Sequence, residues 1–167
     1  MFELKPLSAE GIDAALRKAE RYRLLNEPWE AESICLDVLE VDPTNQPALV
    51  TLLLALTDQF ASERNASVEE ARTLLPRLES EYHRAYYAGI ICERRASALI
   101  ERGFSGAGPV VYDWFRQAMD RYESAAAIRP PANDDALLRW NTCARAIMKH
   151  PNVRPPAPAE AAPLELE

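Results

Sequence analysis

Histidine, cysteine and glycine are the residues through which a short chain coordinates metal, attacks a substrate or cradles phosphate. All three are scarce in this sequence. Of its 167 residues only two are His and three are Cys, with five Gly. His83 stands near Glu79, Glu81 and Cys92. Neither a His-Glu-x-x-His nor a Cys-x-x-Cys spacing accompanies it, so no metal site is expected. The thiols Cys35, Cys92 and Cys143 are odd in number, and each lies inside a helical apolar pattern. They read as small buried thiols in a reducing compartment, not as a disulfide framework. The run from Gly103 to Gly108 has the glycines of a phosphate loop. It lacks a preceding strand and a following Lys-Ser or Lys-Thr, so a connector between helices is the expectation. General acid–base chemistry needs a titratable pair held in a pocket, and no pair stands out. No catalytic residue and no cofactor are therefore expected. A small enzyme with a site around His83 and the Gly-rich connector is kept as an alternative.

Charge narrows the partners. With 19 Lys and Arg against 26 Asp and Glu, the net charge is −7. A field of that sign repels phosphate backbones and anionic lipid, so neither nucleic acid nor membrane is expected. Arg94, Arg95 and Arg102, and then Arg139, Arg145 and Lys149, read as solvated helix faces able to pair with an acidic partner. Met1 to Pro6 has no basic stretch followed by an apolar core, and the longest apolar run, Leu52 to Leu56, is too short to span a bilayer. A cytoplasmic protein is the expectation.

The elements that would position any site are helical. Ile12, Ala15, Leu16, Ala19 and Tyr22 recur at three- and four-residue spacing and make one apolar face. Pro28 suits the first turn of a second helix that stops at Asp42-Pro43. A third helix, from about Gln46 to Phe60, is apolar almost all round, so neighbours must cover it. Ser67 and Glu70 have the spacing of a capping box, and Pro76 should kink or end the helix they open. Leu78 to Arg102 predicts one long helix or a close pair. Another helix carries Val110, Val111, Trp114, Phe115, Ala118, Met119 and Tyr122 on its inner side. The last places Leu137, Leu138, Trp140, Cys143, Ala144 and Ile147 inward. Residues 151–167, rich in Pro, Ala and Glu, are expected to be a disordered tail beyond a single domain at 1–150.

One spacing occurs twice. Ala31, Cys35 and Pro43 are matched by Ala118, Tyr122 and Pro130, with Val38 and Val41 matched by Ala125 and Ile128. The stretch from Ile12 to Asn45 resembles a tetratricopeptide repeat, a helix–turn–helix unit of about 34 residues. Tyr22 takes the tyrosine place, Ala31 the packing alanine, Cys35 the aromatic place and Pro43 the terminating proline. Ala15, Lys18 and Ala19 stand where Trp, Leu and Gly are usual. The resemblance implies an all-α fold, a right-handed α-α superhelix of about three such helix pairs plus a C-terminal capping helix.

It further implies a concave groove that holds a helix or peptide of another protein, lined here by Leu16, Glu20 and Arg23 and then Val50, Leu54 and Thr57. The expected function is a non-enzymatic adaptor or assembly subunit, with Leu16, Val50 and Leu54 as apolar anchors and Glu20 and Arg23 setting orientation. Two alternatives remain open at this point. The segment from Leu78 to Arg102 folds over that strip and buries it, or the chain is a structural subunit that forms a homodimer through the apolar helix around Leu52.

Overall fold

A computed structural model describes residues 2–62, 67–103 and 106–157. The described residues form an all-α structure of seven α-helices with no strand: α1 (Ile12–Leu24), α2 (Pro28–Val41), α3 (Gln46–Asp58), α4 (Val68–Thr73), α5 (Glu81–Glu101), α6 (Gly108–Ala127) and α7 (Asp135–Lys149). Short 3-10 turns at Ala9–Gly11 and Leu75–Arg77 flank α1 and follow α4. Among the described residues no helix is long and apolar enough to cross a membrane.

Local chemistry sets most boundaries. Between α1 and α2 the chain reverses at Asn26, whose φ of 60° is tolerated by an Asn side chain. The Glu27 N–H then donates to the Tyr22 carbonyl at 2.9 Å, and Pro28 opens α2. Asn45 caps α3 by accepting from the Ala48 N–H at 2.9 Å. Ser67 caps α4 at 3.0 Å through the Glu70 N–H, and Ser80 caps α5 at 3.2 Å through the His83 N–H. Pro76 stops α4 after six residues, leaving a helix under two turns long beside longer neighbours.

Consecutive helices pack on one another, α1 on α2, α2 on α3, α5 on α6 and α6 on α7. Two apolar cores result. The first is drawn from α1 to α4 with Ile91 and Ala98 of α5, and the second from α5 to α7. Tyr87 of α5 packs against both cores, and Leu54 of α3 reaches across to the second. The repeated spacing has a repeated role. Ala31, Cys35 and Val38 of α2 and Ala118, Tyr122 and Ala125 of α6 are all fully buried, while Pro43 and Pro130 lie exposed just past each helix.

Of the two readings of Leu78 to Arg102, the single long helix holds: it is α5, of 21 residues. Other expectations need correction. Val110, Leu137 and Leu138 were expected inward, yet all three are exposed, Leu138 by 62%. Helix α7 packs chiefly on α6, so one narrow face suffices, and it is Ala136 and Cys143 that are buried. Leu52, expected on a dimer surface, is buried along with most of α3. Ordered chain also runs past the expected boundary at 150. Val153 is buried in the second core, and the missing Cβ of Gly108 is what leaves room for the Asn152 carbonyl. The rest of the expected tail, from 158 on, lies outside the described residues, as do 63–66 of the loop after α3 and Phe104-Ser105 of the Gly-rich run.

Candidate functional site

The six positions expected to line a groove are distributed over α1 and α3. Glu20 is exposed. Leu16 and Val50 are half-buried against the first core, and Leu54 is half-buried against the second. Two of the six are corrected by their contacts. Thr57 is only 3% exposed, and its hydroxyl donates to the Leu54 carbonyl at 2.8 Å, so it offers nothing to a partner. Arg23 is committed within the chain, its Nε donating to the Asp58 carboxylate at 2.7 Å. Arg94 of α5 lies 3.8 Å from the same carboxylate, so Asp58 links α1, α3 and α5 on this side. With Tyr87 packed beside it, α5 covers part of the apolar strip.

His83 and the Gly-rich connector do not converge. His83 lies in the first turn of α5 and Gly103 follows its last, a separation of roughly 30 Å at the rise of an α-helix. It is His150, not His83, that lies beside Gly103 and Gly108, at a small cavity of about 160 Å³ floored by Leu99 and Val111. Among the described residues no group of three or more His, Cys, Asp or Glu is placed to hold a metal ion.

A larger concavity opens on the other side of α5. It is a groove of about 760 Å³ bounded by α4 with its following turn, α5 and α6. Its origin is the brevity of α4. Pro76 breaks that helix after six residues, whereas α6 runs for 20, and its flank at Gln117 and Arg121 is exposed. Small side chains keep the floor open: Ala85, Ala88 and Cys92 lie at three- and four-residue spacing along α5, with Leu75 forming one wall.

Three guanidiniums stand around this floor, on a chain of net charge −7. Arg84 comes from α5, and its Nη1 donates to the Leu78 and Glu79 carbonyls at 2.6 and 3.0 Å, which anchors the group without neutralising it. Arg121 of α6 is exposed and forms no ion pair among the described residues. Arg72 of α4 pairs with Glu69 at 2.7 Å and lies over the Trp114 ring at 5.5 Å, a cation–π contact that fixes it at the rim. Glu81 is the acidic member of the lining.

A buried polar network joins α5, α6 and α7. The Glu93 side chain is 7% exposed; it accepts from the Tyr122 hydroxyl at 2.5 Å and from Arg139 Nη1 at 3.0 Å. Burial, followed by the adjacent Glu93 carboxylate, pushes the Tyr122 hydroxyl far above the usual phenol range. Burial opposes the Arg139 charge, yet Glu93, Tyr86 and Tyr122 outweigh it and hold the guanidinium above its ordinary pKa. The three thiols are raised as well. Burial takes Cys35 and Cys143 up to about 12 and raises Cys92, an effect that Arg72 partly offsets. Cys92 is thus a neutral, apolar part of the groove floor and not a thiolate nucleophile at neutral pH.

Sequence reasoning did not single out Arg72, Arg84 and Arg121. The signal lay in stripes: Arg84, Ala88 and Cys92 at four-residue steps, and Gln117 with Arg121 at the same step, beside a helix cut short by Pro76. Set against protein-family models, curated proteins and solved structures, the chain matches none of them.

Proposed function

We propose that this protein is a non-enzymatic adaptor, a stack of tetratricopeptide-like helix pairs closed by α7, that holds a segment of another protein. The repeated burial of Ala31, Cys35 and Val38 in α2 and of Ala118, Tyr122 and Ala125 in α6 supports the repeat reading. The observation that carries the binding role is the open groove of about 760 Å³ between α4, α5 and α6. It combines an apolar floor with convergent polar groups at its edge, the composition of a recognition site. The α1 and α3 face is the weaker candidate, because Arg23 and Thr57 are engaged within the chain and α5 covers part of the strip.

Two surface variants test the reading. Ala88→Trp fills the groove, and Glu20→Arg alters the α1 face. Each is captured from lysate beside the parent chain, after circular dichroism has shown an unchanged helix content. The adaptor reading expects a protein retained by the parent and by Glu20→Arg but lost by Ala88→Trp. A folded Ala88→Trp chain that retains every partner of the parent contradicts the groove assignment.

A further inference from the structure

Resting on the adaptor reading, we infer the chemistry of what the α4–α5–α6 groove takes: an acidic amphipathic helix of a partner protein, laid into the place that a longer α4 would fill. The shape argues for a helix. Glu81 and Cys92 bound the α5 stripe of the groove, which spans roughly 16 Å at 1.5 Å per residue, about three helical turns. Between them the floor presents Ala85 and Ala88, whose small side chains let another helix axis approach closely. Across that floor the flank of α6 at Gln117 and Arg121 is uncovered because α4 ends at Thr73. A helix offering apolar residues at three- and four-residue spacing would cover both surfaces.

The charge argues for acid. Although the chain is net −7, this groove gathers Arg72, Arg84 and Arg121 against Glu81. Glu69 pairs with Arg72, while Arg84 and Arg121, one on each side of the floor, form no ion pair among the described residues. Carboxylates flanking the apolar stripe of the incoming helix would pair with those two guanidiniums, a contribution that salt weakens. A basic helix would be repelled here by Arg84 and Arg121.

The test is selection from a random peptide library displayed against the full chain, with the folded variants Ala88→Trp and Arg121→Glu as counter-targets. The expected result is enrichment of peptides with Glu or Asp flanking Leu-type residues at helical spacing. These should lose binding to Ala88→Trp and weaken about tenfold on Arg121→Glu, since reversal converts a surface attraction into a repulsion. Peptides that are lost on Ala88→Trp but carry neutral or basic flanks would overturn the acidic-helix assignment while leaving the groove as the binding site. Enrichment confined to phosphorylated members of a modified library, or a dimer of this chain that such peptides dissociate, would overturn it too. No enrichment, or peptides indifferent to Ala88→Trp, would overturn the groove reading itself.

Discussion

Gly89 is the position where two opposing effects can be weighed directly. It lies in the middle of α5, where replacing Gly by Ala ordinarily stabilises a helix by about 1 kcal/mol. Here the added Cβ would lie 2.5 Å from Tyr122 Cε1 and 2.7 Å from its Cδ1. Ordinary carbon–carbon contacts are about 3.5–4 Å, so the ring or the whole α5–α6 spacing must give by about 1 Å. The ring has little freedom, because its hydroxyl is bonded to Glu93 at 2.5 Å and Glu93 is held in turn by Arg139 at 3.0 Å. Overpacking costs about 1–3 kcal/mol, and disturbing a charge-assisted hydrogen bond adds about 1.5–3 kcal/mol. After the helix gain is subtracted, Gly89→Ala should destabilise by about 3 kcal/mol. For a chain of this size that is a fall in Tm of roughly 6–12 °C. Urea titration and thermal circular dichroism measure it, and Gly89→Ala combined with Tyr122→Leu should cost less than the sum of its parts. A Gly89→Ala chain as stable as the parent would refute the close α5–α6 approach on which the groove floor depends.

Other perturbations read other parts of the structure. Arg139→Ala leaves the Glu93 carboxylate without its cation and should cost about 3 kcal/mol by urea titration, whereas Arg139→Lys should cost less than half of that. The thiols give a pH dependence with a definite sign. Cys35 and Cys143 bind their protons more tightly folded, at about 12, than at the ordinary 9.0, so their contribution is complete below about pH 9 and is lost as pH rises towards 12. Urea midpoints should therefore be level across neutral pH and fall above about pH 9; a midpoint that rises there would contradict the burial of these groups. All three thiols should also resist a thiol-reactive dye at neutral pH until denaturant is added. On α7, Leu138→Glu should change stability by no more than ~0.5 kcal/mol, because the side chain is exposed, while Ala136→Leu should lower the urea midpoint, because Ala136 is fully buried.

Much of this fold is legible in the residues. The apolar periodicity of α1, the prolines at Pro28, Pro43 and Pro47, and the caps at Asn45 and Ser67 act locally, so their effects can be read without knowing any neighbour. The almost all-round apolar character of α3 called for neighbours over most of its circumference, and eight of its residues from Ala48 to Thr57 are buried. Legibility failed where the answer depended on what lies across the interface. Leu137 and Leu138 are as apolar as core residues, and only the position of α7 at the end of the packing order leaves them exposed. Arg23 had the register of a groove residue, but its use depends on Asp58, 35 positions away. The α4–α5–α6 groove was hidden for the same reason. It arises from a mismatch between a six-residue and a 20-residue helix, and each helix alone gives no sign of a cavity.

The most direct measurement places a photo-reactive benzoylphenylalanine at position 117, on the exposed rim of the groove, and at position 20, on the exposed α1 face, and irradiates both chains in their native cells. The adaptor account predicts an adduct with another protein from position 117 that is absent from position 20, its cross-linked segment acidic and of helical periodicity. Adducts formed only from position 20, or none from position 117 in a chain that remains folded, would contradict it.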